Sequence, residues 1–247
     1  MSESLVIAQI AGRDSVAAAV AAVRERGFTS VLPTIAFTGT ENGDREAPLR
    51  AVETLRWLLG SGIEVLDPII LTDPELWRAM NACCEMDLQV RYGIASPCLA
   101  CHLYLHLLRV PVSWRYGGAP IVSGERDTHD GRIKLSQTTG SIDAATRVLA
   151  YAGVELLEPV REMGGAEIAA LVGDGWAQGA GQMGCEYAGN YVGPDGTVRY
   201  DEDGHSRYLA EFFEPVGIAI IDAWRAERAG APAADPHALV RGVLARA

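Results

Sequence analysis

The stretch "IAGRDSVAAAVAAV", Ile10 to Val23, decides how this chain is read. It follows "SLVIAQI", an apolar run, and opens an alanine-rich segment with Val16, Val20 and Val23 at helical spacing. A strand that turns through Ala11, Gly12, Arg13, Asp14 and Ser15 into a helix gathers unpaired N–H groups and the positive end of a helix dipole at one point, which suits phosphate. Gly12 would let the backbone approach an anion, Arg13 would neutralise it, Ser15 would offer a hydroxyl and Asp14 would cap the helix. The plainer reading is an ordinary strand-to-helix turn, since Asp and Ser cap helices everywhere.

Further along, β-branched apolar runs alternate with helical patterns: "SVLPTIAF", "LRAVETLRWLLGSG", "IEVLDPIIL", a long helical stretch from Pro74 to about Tyr92, a cysteine-bearing segment, "APIVSGERD", "SIDAATRVLAYAG" and "VELLEPV". Such alternation predicts an α/β fold, a largely parallel sheet with helices on both faces. Ligands of such sheets sit at the carboxyl ends of the strands, and Ile10 to Ser15 occupy one such end. From Gly164 the texture turns Gly-rich and irregular, "RYDEDGHSRY" reads as a hairpin turn, and a helix is expected from about Tyr208 to Ala229. The expected division is residues 1–165 as the nucleotide-binding α/β domain and 166–247 as a small extension carrying Cys185 and helices. Trp57, Trp77, Trp176 and Trp224 are expected in core or interface packing.

The 247 residues are 49% hydrophobic and 21% charged, the balance of a globular protein. No apolar run reaches the roughly 18 to 20 residues of a membrane span, and the acidic N-terminus is unlike a secretory signal, so a cytoplasmic location without a membrane partner is expected. A net charge of −11 gives no footprint for nucleic acid. Transfer RNA as a partner therefore gains no support from charge.

The loop resembles that of the PP-loop (N-type) ATP pyrophosphatases, whose pattern is Ser-Gly-Gly-x-Asp-Ser after the first strand. Ile10, Ala11, Gly12, Arg13, Asp14 and Ser15 stand in those places; the last four fit, and the leading Ser and first Gly do not. "APIVSGERDTHDG" is similar to the family's fourth strand and loop: Gly124 matches, Glu125 replaces a His, and Asp127 or Asp130 would supply a carboxylate for magnesium. "VELLEPVREMGGAEIAAL" is similar to the fifth strand and its following helix. The resemblance implies a Rossmann-like (HUP-type) sheet and ATP and Mg2+ at Ala11 to Ser15, with Arg126, Asp127, His129, Asp130 and Lys134 around the phosphates, although such a run of charge is usually a solvated loop. Lys134 would stabilise charge on departing pyrophosphate. Thr38 to Asn42 would line the adenine and ribose pocket, although a plain polar loop explains them equally well.

"SPCLACHLYLHLL" places Cys98 and Cys101 at C-x-x-C spacing, so two thiolates can reach one metal. A three-cysteine, tRNA-thiolation-like subgroup of the PP-loop family carries such a pair plus a later cysteine, and Cys185 stands in that later place. The resemblance implies a [4Fe-4S] cluster on Cys98, Cys101 and Cys185 with one iron open. Zinc on Cys98, Cys101, His102 and His106 is a competing reading, as are unligated core cysteines; c-type haem attachment at C-x-x-C-H would require export. Cys83 and Cys84, expected on a helix, are read as core.

Together these features imply an ATP-dependent adenylating enzyme that activates a small-molecule or carrier-bound acceptor for sulfur transfer from a sulfur donor, as a homodimer. A PP-loop ligase with structural zinc and an ATP-sensing module without turnover are the alternatives. Asp14→Ala and Ser15→Ala are expected to weaken ATP binding with little effect on folding.

Overall fold

Val6, Ile7 and Ala8 have no solvent-exposed surface in the computed structural model of the protein, which describes residues 4–94, 96–127, 133–173, 176 and 179–247. Successive strand residues face opposite ways, so both faces of this strand are covered. The chain runs β1 (Leu5–Gln9), α1 (Arg13–Arg26), β2 (Ser30–Ala36), β3 (Glu41–Asn42), α2 (Ala47–Leu59), β4 (Glu64–Val65) and β5 (Ile69–Leu71). Next come α3 (Pro74–Met80), α4 (Glu85–Tyr92), α5 (Cys98–Leu107), α6 (Val110–Arg115), β6 (Ile121–Val122), α7 (Thr139–Tyr151) and β7 (Leu156–Leu157). The remainder is α8 (Gly165–Val172), β8 (Gly184–Cys185), α9 (Glu202–Tyr208), a π-helical turn (Leu209–Phe213), α10 (Glu214–Arg228) and α11 (Pro236–Leu244).

The main sheet is parallel, in the order β4-β2-β1-β6-β7, with β5 also paired to β2. β4 and β5 are successive pieces of one strand position, so the order is that of a doubly wound, Rossmann-like sheet. The order reverses between β1 and β6, and the loop from Ile10 to Gly12 leaves β1 at that point. The α/β parallel architecture expected from the alternating pattern is therefore the one observed. Residues Val16 to Val23 of α1 are buried on every side, which explains the five alanines among them: a helix wrapped by protein needs small residues for close approach. Gly27, in the left-handed region at φ 69°, ends it.

Two compact units emerge, each assembled from three stretches of chain. The first is Met1–Thr72, Val112–Arg132 and Val154–Glu186; the second is Asp73–Pro111, Ile133–Gly153 and Tyr187–Ala247. They do not follow the expected division at residue 165. Composition registers the change of texture at Gly164, whereas a compact unit is defined by which segments return to pack together.

Several local expectations are corrected. The long helix from Pro74 breaks into α3 and α4, because the Asn81 amide donates to the Trp77 carbonyl (3.0 Å) and the Cys84 thiol donates to the Met80 carbonyl (3.0 Å), side-chain bonds that compete with the helical ladder. Cys84 is buried, and burial pushes its thiol up to about 12, while Cys83 is exposed and is not core. "RYDEDGHSRY" is no hairpin: Asp201 accepts from the Gly204 N–H (2.9 Å) and starts α9. Trp57 is 78% exposed and does not belong to the core. Among the described residues no helix is long and apolar enough to cross a membrane.

Candidate functional site

The loop after β1 is ordered by its own side chains. Ser15 Oγ accepts from the N–H groups of Ala11 (3.0 Å) and Gly12 (3.1 Å) and donates to the Gly12 carbonyl (2.7 Å). Gly12 is the N-cap residue and Ser15, the third residue of α1, bonds back to it; Asp14 does not cap the helix, contrary to expectation. Gly12 is extended at φ −177°, and the group nearest the position of a Cβ there is the Gln182 amide, at 2.5 Å. Ala11 is exposed and makes its contact through its backbone.

Asp14 is instead held between two arginines. Its Oδ1 accepts from Arg13 Nε (3.1 Å) and its Oδ2 from Arg126 Nε (2.9 Å). Arg126 is 1% exposed and also donates through Nη1 to the Met163 carbonyl (2.9 Å). The Nη2 atoms of Arg13 and Arg126 are buried without a hydrogen-bond partner. Two guanidinium groups against one carboxylate leave one positive charge in excess at the N-terminus of α1, with two donors unspent, and buried donors normally have partners. This arrangement attracts an anion. The expectation that Asp14→Ala leaves folding intact is revised, because the carboxylate compensates buried charge.

Gly124 packs on the backbone of Ser15 and Asp14, so the end of β6 joins the loop. Asp127 is paired with Arg161 (3.1 Å), which also reaches Glu158 (3.4 Å). Lys134 is exposed and belongs to the second unit. His129 and Asp130 lie outside the described residues.

Beyond β2, the Glu41 carboxylate accepts from the Thr38 N–H (2.7 Å), the Thr38 hydroxyl (2.7 Å) and the Gly39 N–H (2.9 Å). The Thr38 and Thr40 hydroxyls are 2.7 Å apart, and Thr40 Oγ1 lies 3.3 Å from Cys185 Sγ. β8 pairs antiparallel with β3, Glu41 opposite Cys185. This pairing sets Cys185 beside the loop that follows β2 at its carboxyl end. Thr38, expected to face a nucleoside, is engaged within its own loop.

In the second unit, α5 begins at Cys98, which puts the C-x-x-C pair on its first turn, both side chains half-buried. The Cys98 thiol donates to the Tyr187 carbonyl (3.6 Å), and Cys101 Sγ accepts from Trp77 Nε1 (3.4 Å). Among the described residues no group of three or more His, Cys, Asp or Glu side chains is arranged to hold a metal ion.

No family model matches the chain. Over 221 residues it is 34% identical to uncharacterized protein MJ0009 of Methanocaldococcus jannaschii, covering 88% of this chain and 79% of the relative. The chain belongs to the MJ0009 family. Two solved structures are similar to it: the U34-tRNA thiolase NcsA of Methanococcus maripaludis with its [4Fe-4S] cluster, and a protein described as a predicted subunit of tRNA methyltransferase from Methanocaldococcus jannaschii. The first is 13% identical, spans 98% of this chain and 70% of that one, and has a TM-score of 0.42. The second is 14% identical, spans 68% and 73%, and has a TM-score of 0.38.

In this MJ0009-family chain, sequence reasoning missed Gln182 over Gly12, the Met163 carbonyl on Arg126, Arg161 on Asp127, and Trp77 on Cys101. Only Trp77 carried a signal, as an indole donor needing a partner when buried; the other three are set by chain return.

Proposed function

We propose that this protein is an ATP-dependent adenylating enzyme of the PP-loop type that activates an acceptor for sulfur transfer. The observation carrying the reading is the pair of buried arginines, Arg13 and Arg126, on the half-buried Asp14 at the N-terminus of α1, with one positive charge in excess and two unspent donors. ATP phosphates are the anion that suits it, because the group sits where the strand order of a doubly wound sheet reverses. An acceptor oxygen attacks the α-phosphorus and the bond to the bridging oxygen breaks. Pyrophosphate leaves with the electron pair. Arg13 and Arg126 spread the charge of the departing group, which is where fixed donors lower a barrier most. A sulfur nucleophile then displaces AMP from the activated carbon.

Asp127, one of the two carboxylates considered for magnesium, is occupied by Arg161, as Asp14 is by Arg13 and Arg126; the other, Asp130, lies outside the described residues. Magnesium therefore arrives bound to ATP in this scheme. Cys98, Cys101 and Cys185 are the thiols considered for a [4Fe-4S] cluster, and among the described residues they form no group arranged to hold a metal ion, so no step is assigned to a cluster. The acceptor is a small molecule or a carrier-bound group, given the acidic chain, and a cytoplasmic homodimer is the assembly in keeping with this reading.

The test is calorimetric titration of anaerobically purified protein with Mg-ATP, together with iron and acid-labile sulfide content. Saturable ATP binding that weakens about 10- to 100-fold in Arg126→Gln is expected. Wild-type protein that does not bind ATP overturns the reading. Zinc in place of iron redirects it to a ligase, and ATP binding without pyrophosphate release in the presence of acceptors redirects it to a sensor.

A further inference from the structure

The segment leading into β8 rests on the phosphate loop, and both belong to the first compact unit. The Trp176 indole N–H donates to the Ala180 carbonyl (2.8 Å) and holds one end of a short strap. β8 fixes the other end: Gly184 lies opposite Asn42 of β3, the Glu186 N–H donates to the Thr40 carbonyl (3.0 Å), and the Asn42 amide donates to the Glu186 carboxylate (2.7 Å). Between these anchors Gly181, in the left-handed region at φ 64°, and Gln182 are exposed. Gln182 is the residue that meets Gly12. A Cβ placed on Gly12 would lie 2.5 Å from Gln182 Oε1 and 3.0 Å from Gln182 Cβ. Glycine at 12 thus leaves one face of the loop open, and the strap occupies that face. Rotating the amide clears Oε1 but not Cβ, whose place is set by the strap backbone. Freeing Gly12 therefore requires the strap to lift, and an exposed segment with a left-handed glycine can do so at small cost.

We infer that Gln182 is a gate of the phosphate site: its side chain and a phosphate group compete for the same face of Gly12, and the strap lifts when phosphate binds. The inference rests on the reading of this loop as a phosphate site. An amide is neutral, so it leaves the excess positive charge of Arg13 and Arg126 uncompensated, whereas phosphate carries the charge that this end of α1 attracts. The polyanion therefore wins the competition, at an affinity lowered by the fraction of the time that the strap lies closed. A side chain that only filled space over Gly12 would leave binding unchanged, and one that gripped phosphate would strengthen it. The three roles differ in the sign of the effect when Gln182 is truncated.

The experiment titrates wild-type protein and Gln182→Ala with inorganic pyrophosphate and with Mg-ATP by calorimetry, and follows association by stopped flow. Truncating an exposed side chain leaves the fold intact. Gln182→Ala is expected to bind both probes about 3- to 10-fold more tightly, because a larger fraction of the protein is open, and chiefly through faster association. Unchanged or weaker binding in Gln182→Ala, with wild-type protein binding both probes, overturns the inference and leaves the phosphate reading standing. Failure of both proteins to bind either probe overturns the phosphate reading and the inference with it. The strap has its own reporter in wild-type protein labelled with 15N-tryptophan. The Trp176 indole resonance, assigned by its loss in Trp176→Phe, should move on saturation with pyrophosphate, because its acceptor Ala180 lies two residues from Gln182. A resonance that stays in place while pyrophosphate binds overturns the lifting of the strap.

Discussion

A Cβ placed on Gly124 would lie 2.5 Å from the Ser15 amide nitrogen and 2.6 Å from its Cα. The obstacle is backbone in the first turn of α1, which cannot rotate away as a side chain would. Glycine at 124 therefore lets the segment after β6 rest directly on the loop after β1. Gly124→Ala should cost about 1 to 3 kcal/mol through overpacking and should weaken ATP binding by shifting the loop. Urea unfolding and ATP titration check both, and a variant as stable as wild type would refute the contact.

Asp14→Ala should both unfold more readily and lose ATP affinity. Removing the carboxylate leaves Arg13 and Arg126 buried without compensation, and breaking such a group costs about 3 kcal/mol, the lower end of the range because the Asp14 side chain is 24% exposed. Leucine at 126 in the same chain, Asp14→Ala with Arg126→Leu, should recover part of the stability and none of the binding. No recovery in the double variant would show that the ion pair is not the cause.

Ser15→Ala removes the acceptor shared by the Ala11 and Gly12 N–H groups. Loss of a helix cap typically costs about 0.5 to 2 kcal/mol. ATP phosphates can take over the same N–H groups, so ligand-induced stabilisation should survive. Thermal melts with and without Mg-ATP measure this, and a variant that ATP no longer stabilises would contradict it.

The pH dependence of stability should carry the mark of His205. The imidazole is buried, burial lowers its pKa, and Nε2 lies 3.0 Å from Ser141 Oγ. The unfolded chain then binds a proton that the folded chain resists. The contribution is complete above the unfolded value of about 6.5 and is lost as pH falls below it, at no more than about 1.4 kcal/mol per pH unit. His205→Gln should show a shallower fall between pH 6.5 and 5. Parallel curves for the two proteins would exclude His205 as a source.

Bulk transfer RNA should bind weakly at physiological salt, because a chain of net charge −11 has no excess of cationic side chains with which to release counterions. Filter binding across a salt series tests this. A steep slope with tight binding would move the acceptor from small molecules to RNA.

The sequence by itself determined the alternation of strands and helices, the parallel sheet, and the place of Gly12 to Ser15 at a strand's carboxyl end. Those follow from periodicities and turn chemistry carried by residues close together in the chain. It also singled out Asp14, Arg126 and Gly124 as separate members of a site. Only the tertiary structure decided what each does: Asp14 neutralises two buried arginines and does not cap the helix, Gly124 serves close packing, and Asp127 belongs to Arg161. Cys185 reached the loop after β2 through β8, a two-residue strand with no pattern of its own. The break between α3 and α4 and the split into two units were equally hidden. Such features depend on contacts between residues far apart in sequence, whose energies are fixed by distance and burial, and neither quantity is written in local composition.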